Sequence, residues 1–279
     1  MQEIKIEIKN RSGKVRSCTC KIASTWNELD PDVYPYIASV YLSPYKEKMH
    51  TAVSLFTLLL CKHHQVVNYL PATDVHSMLF VTDFLFEKLD LTTNLIPVVK
   101  AGGKEYHGPK DELENLTFIE WCFADSYFER YVFLKKQEQQ DPANEYLDKF
   151  LAVLYRPKKQ SYDPLAIDHD GDIRVRFNEN LIKERAKDMN YLPCHIRDGI
   201  VLWYMSCRQK IENDHPHIFP QKKKISGSEP DFGWMGVFDE LTGDKFGGQD
   251  ELARTNLFTV LFSMERNQIK FKKYKNEAY

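Results

Sequence analysis

No stretch of the chain is both long and apolar enough to span a bilayer. The most hydrophobic run, Thr51–Cys61, is about half of the roughly 20 residues that a spanning helix needs, and it reads as a buried helix. The opening residues MQEIKIEIKN hold no apolar signal core, so nothing in them points to secretion. Charge of one sign is lacking too. The 38 Lys and Arg stand against 40 Asp and Glu, which leaves no global field to draw nucleic acid or an anionic membrane. The six cysteines are scattered through a chain long enough not to need staples, so reduced thiols in a cytosol are expected. There is no internal repeat, no low-complexity tract, no G-x-S-x-G elbow and no glycine-rich phosphate or dinucleotide loop.

Aromatic residues are plentiful, with 15 Tyr and 17 Phe, which suits cores and protein interfaces. They concentrate in Phe118–Phe133, where Phe118, Trp121, Phe123, Tyr127, Phe128, Tyr131 and Phe133 cover most of a helix. Glu120, Asp125, Glu129 and Arg130 are the polar breaks. A helix apolar nearly all round is surrounded by others, so this one is expected at the centre of the fold. Thr117 with Glu120 has the capping-box form, as does Thr25 with Glu28.

Before it, alternation at Ile4, Ile6 and Ile8 and again at Cys18, Cys20 and Ile22 predicts an N-terminal hairpin. Helices are expected after Asp30-Pro31, over Met49–Tyr69, and from Thr73 or Asp74 through Leu89. Ile96–Tyr106 reads as a second hairpin. Beyond the central helix, Asp141-Pro142 opens another. Arg156–Asp163, polar and flanked by proline, is the expected seam between lobes spanning 1–157 and 164–279. Helices follow over Asn178–Met189, Pro193–Glu212, Asp231–Leu241 and Gln249–Asn267. The aperiodic stretch Asn213–Pro230 carries Lys222, Lys223 and Lys224, and the chain closes on a basic tail containing Lys272 and Lys273. The fold class expected is mainly α with small β-hairpins: a multi-helix globular bundle around the aromatic helix.

Candidate chemistry is sparse. Asp168, Asp170 and Asp172, with Glu179 twelfth from Asp168, resemble a calcium loop, but Ile173 stands where the sharp turn needs glycine. Cys61 and His64 lie three apart on a helix, so they share a face. Cys18 and Cys20 share a face of a strand, and His215 and His217 a face of an extended segment. Zinc sites usually pair such short spacings, and no CxxC or HxxxH partners any of these, so each reads as packing or surface. Cys122 reads as a small core residue. Cys194-His195 is adjacent in sequence, which does not orient an imidazole on a thiol. In the tail, Phe271 and Tyr274 interleave with lysines, as in some nucleic-acid binders, but the footprint is short and a charged helix end explains it. No catalytic constellation is legible, and the expectation is a protein without enzymatic activity, metal or cofactor.

Three stretches resemble proteins of Bacteroidetes phages and prophages. Thr25-Trp26-Asn27-Glu28-Leu29 is similar to their S/T-W-x-E-L opening. Tyr106-His107-Gly108-Pro109 through Leu116-Thr117-Phe118-Ile119-Glu120 is similar to Y-x-G-P followed by L-x-N-L-T-F-x-E. Phe232-Gly233-Trp234 through Leu241-Thr242-Gly243 to Phe246-Gly247 resembles their ending, with Thr242 in place of alanine. The resemblance implies a member of a tail-morphogenesis module. That would be a tail assembly chaperone in the host cytoplasm that binds the tape-measure or another tail protein, or a neck or tail connector of the virion. It brings no catalytic residues. Trp121, Phe128, Trp234, Phe238 and the lysines 222–224, 272 and 273 are the expected contacts with a protein partner or a second copy. Nucleic acid and membrane are not expected partners. A metal-dependent hydrolase using Asp168, Asp170, Asp172 and Glu179, and a nucleic-acid-binding protein, are the alternatives.

Overall fold

The alternating residues at the start of the chain do build a hairpin. β1 (Gln2–Lys9) runs antiparallel to β2 (Val15–Ile22), with Ile4 opposite Cys20 and Ile6 opposite Cys18. Side chains two apart on a strand share a face, so Ile4, Ile6, Cys18, Cys20 and Ile22 lie together, and Ile6, Cys20 and Ile22 are buried. The structure is a computed structural model describing residues 1–9, 15–43, 47–163, 165, 171–219, 233–243 and 246–277. It is mainly α-helical with two small hairpins, as its periodicities predict. Among the described residues no helix is long and apolar enough to cross a membrane.

The chain clusters into two compact units. One contains Met1–Ile96 and Pro193–Cys207, the other Pro97–Leu192 and Arg208–Tyr279. The polar stretch Arg156–Asp163 lies inside the second. Its backbone is tied to neighbouring segments there: His107 N–H donates to the Arg156 carbonyl at 2.8 Å, and Lys159 N–H to the Ile173 carbonyl at 2.9 Å.

In the first unit, Asp30 starts a turn, and α1 (Tyr34–Leu42) begins only at Tyr34 with Pro35 in its first turn. The predicted helix over Met49–Tyr69 is two elements. α2 (Lys48–Leu59) stops where Cys61 adopts φ 49°, and residues Cys61–Tyr69 continue as a 3-10 helix. Left-handed backbone at a non-glycine residue cannot propagate an α-helix. α3 (Ala72–Met78) likewise passes into a 3-10 helix, Leu79–Leu85. Trp26 is buried edge-on to Tyr41, with ring centroids 5.2 Å apart. α7 (Cys194–Asp214) gives this unit its first fourteen residues, and Trp203 Nε1 donates to the Thr92 carbonyl at 3.0 Å. A methyl group on Gly199 would sit 2.6 Å from the Ile96 Cδ1 atom, so the backbone of α7 approaches its neighbours closely there.

The second unit opens on β3 (Val98–Ala101) and β4 (Lys104–His107), joined through Gly102 and Gly103, whose φ of 55° and 76° suit a tight hairpin turn. α4 (Phe118–Lys136) packs against α5 (Gln140–Leu154), α8 (Gly233–Leu241), α9 (Gln249–Arg254) and α10 (Leu257–Glu277). It is central to this unit. α5 packs in turn on α6 (Ile182–Met189). The predicted helix over Gln249–Asn267 is broken between α9 and α10: Thr255 is extended and its carbonyl accepts the Phe118 N–H at 2.8 Å. Asn256 then caps α10 by accepting the Phe258 N–H at 3.0 Å.

The capping boxes do not form as expected. Neither Thr25 nor Thr117 makes a side-chain cap bond. Glu28 accepts instead from the backbone and hydroxyl of Ser24 at 2.9 and 2.8 Å. Glu120 is taken by two buried guanidinium groups, Arg156 Nη1 at 2.7 Å and Arg174 Nη2 at 3.2 Å, and charge-assisted partners outcompete a backbone N–H.

Candidate metal centre

Two sulfurs and one imidazole converge at the hairpin of the first unit. Cys18 Sγ lies 3.6 Å from Cys20 Sγ and 3.3 Å from His63 Nδ1. The three ligand atoms all fall within 4.8 Å of one another, and no other group of three His, Cys, Asp or Glu among the described residues does so. The strand supplies the sulfurs at i and i+2. The 3-10 helix after Cys61 supplies the ring, 45 residues away from Cys18 in sequence. Cys20 is buried, Cys18 half-buried and His63 exposed, so the cluster has a closed floor and a side open to solvent.

A tetrahedral zinc ion with bonds of about 2.3 Å to sulfur and about 2.0–2.1 Å to nitrogen would hold two sulfurs about 3.8 Å apart and a sulfur and nitrogen about 3.6 Å apart. The Cys18–Cys20 and Cys18–His63 edges are within about 0.3 Å of those, and the Cys20–His63 edge lies within 4.8 Å. Burial, and then the neighbouring Cys18 thiol, push the Cys20 thiol up to about 11. A cation at the cluster would pull the Cys20 thiol back down and favour its ionisation.

This cluster corrects the expectation of a chain without enzymatic chemistry. Reading Cys18 and Cys20 as packing left out their third member, and reading Met49–Tyr69 as one α-helix paired Cys61 with His64. In the structure His64 Nδ1 lies 2.9 Å from the Cys61 carbonyl, and His63 meets Cys18. The tightened turn after Cys61 leaves no periodicity signal of its own.

The other expected residues lie elsewhere. Asp168 and Asp170 are outside the described residues. Asp172 is bound by Arg174 Nη2 at 2.7 Å and Arg156 Nη2 at 3.1 Å, and Glu179 is exposed on a short turn. Asp172 and Glu179 both line a cleft of about 840 Å³ in the second unit, whose floor holds the Glu120, Arg156, Asp172 and Arg174 ion cluster and whose walls carry both signs of charge. Trp121, Phe128 and Phe238 are buried in the second unit, and Trp234 is half-buried with Nε1 donating to Asp125 at 2.9 Å. Lys222, Lys223 and Lys224 are outside the described residues. Lys272 and Lys273 are exposed on α10, with Lys272 Nζ 2.9 Å from His217 Nδ1. His195 stacks on Tyr36, with ring centroids 4.4 Å apart. Cys122 is buried in the core.

Compared with known protein families, curated proteins and solved structures, the chain matches none. The tail-module resemblance thus rests on the quoted stretches alone.

Proposed function

We propose that Cys18, Cys20 and His63 bind a zinc ion and that the chain carries metal-dependent chemistry, with hydrolysis as its reaction class. The observation that supports this is the convergence of two sulfurs and an imidazole nitrogen, with the two edges at Cys18 close to those of a zinc coordination tetrahedron. Structural zinc sites use four protein ligands, whereas catalytic ones use three and keep a position open to water or substrate. Three ligands among the described residues, on a half-open surface, fit the second pattern. A zinc ion there would supply Lewis-acid polarisation and a water acidified to near neutrality.

The chain's own residues have distinct tasks. Cys20, anchored in the hairpin core, fixes the depth of the site, and Cys18 sets its rim. His63 offers Nδ1 to the cluster from an exposed ring. A reducing cytosol, which suits cysteines that form no disulfide, would keep both sulfurs available as ligands.

Titration of the reduced protein with Co²⁺ tests the site. The expected result is one equivalent bound, with sulfur-to-metal charge-transfer bands that Zn²⁺ displaces and that Cys18→Ser and His63→Ala abolish. Hydrolysis of p-nitrophenyl esters and phosphodiesters by zinc-loaded protein, lost on chelation, tests the reaction class. Saturable binding that survives both substitutions would refute the assignment.

A further inference from the structure

The same two sulfurs stand in a relation that metal binding alone does not require. Cys18 is half-buried and Cys20 is 2% exposed, so a small oxidant meets Cys18 first and finds the second thiol directly behind it, 3.6 Å away. A disulfide needs about 2.05 Å between sulfurs, so closure asks for about 1.5 Å of movement. Residues two apart on a strand have Cα atoms about 6.6–6.8 Å apart, at the long end of the range a disulfide spans. Such a bond forms under strain, and strained disulfides are the readily reduced ones.

We propose that Cys18 and Cys20 are a peroxide-sensitive dithiol whose reversible oxidation switches the metal centre off. Cys18 sulfur attacks a peroxide oxygen: an S–O bond forms, the O–O bond breaks, and water leaves with the thiol proton. The Cys18 sulfenic acid is then attacked by Cys20 sulfur: the S–S bond forms, the S–O bond breaks, and a second water leaves. The dithiol loses two electrons and hydrogen peroxide gains them. The oxidised sulfurs no longer ligate, so zinc leaves with only His63 to hold it. Metal release rests on the zinc reading, whereas disulfide formation in metal-free protein does not.

The test treats metal-free and zinc-loaded protein with hydrogen peroxide, maps linked peptides after alkylation of free thiols, and follows zinc with a chromogenic chelator. Exposed Cys194 is the internal control. The expected result is a Cys18–Cys20 link that forms faster than Cys194 oxidises, reverses with dithiothreitol, forms more slowly when zinc is bound, and releases zinc in step. In Cys20→Ser the reaction should stop at a Cys18 sulfenic acid that dimedone traps. If Cys194 oxidises while Cys18 and Cys20 stay reduced in metal-free protein, the dithiol proposal is overturned. Zinc binding through Cys18, Cys20 and His63 without any such link overturns this inference alone. The link without zinc binding supports the dithiol and overturns the zinc reading.

Discussion

The three proposed ligands are not equivalent. Cys20 is buried in the hairpin and His63 is exposed, so their replacements should fail differently. His63→Ala removes a ring from the surface and should abolish stoichiometric zinc binding while leaving the fold intact. Cys20→Ser exchanges a small hydrophobe for a hydroxyl on the buried face and should weaken binding and also lower stability by about 1–3 kcal/mol. Competition against a zinc chelator and urea unfolding measure the two effects. In the second unit, Arg174 is wholly buried between Glu120 and Asp172 and also donates to the Leu154 carbonyl at 2.8 Å. Arg174→Leu leaves Glu120 and Asp172 to share Arg156 alone and should cost about 3–5 kcal/mol in urea unfolding. Gly199→Ala is favoured by helix propensity, yet the crowding at Ile96 and Tyr34 should make it destabilising by about 1–3 kcal/mol.

At the level of elements, α6 is fastened to the second hairpin. Asp188 accepts from the Tyr106 hydroxyl and from Lys104 Nζ, the latter at 3.0 Å. The Tyr106 hydroxyl first, and then Lys104, hold the Asp188 carboxyl below its ordinary value. A carboxylate depressed in the folded state contributes stability above its unfolded value of about 4, and that stability is lost as pH falls through the depressed value. Asp188→Asn should therefore lose stability at pH 7 and show a shallower decline below pH 4, read from urea midpoints across that range. The elements themselves were largely legible in the sequence. The hairpins, α4, α5 and α7 follow from alternation, aromatic periodicity and proline or glycine punctuation. What escaped were the breaks: Cys61 in the left-handed region, and Thr255 drawn into an extended bridge by Leu116–Phe118. The second is set by a contact distant in sequence, and no local pattern announces either. Two of the three proposed ligands were legible as Cys18 and Cys20 on one strand face. His63 was hidden by the break that a continuous helix would have erased.

For the whole molecule, the account divides the work. The second unit spends its aromatics and its buried ion cluster on packing, and the first carries the proposed chemistry on a hairpin. A ligand that binds only the folded state stabilises it, by about 4 kcal/mol when present at a thousand times its dissociation constant. Zinc should accordingly raise the unfolding midpoint of the protein, and chelation should reverse the gain, with neither effect in Cys20→Ser. Acidification should weaken binding, because protons compete for both sulfurs and the imidazole. The most direct measurement is X-ray absorption at the zinc edge of the loaded protein. The account predicts two sulfur scatterers at about 2.3 Å and one imidazole nitrogen at about 2.0–2.1 Å, with one further light atom. A shell of oxygen and nitrogen alone would contradict it.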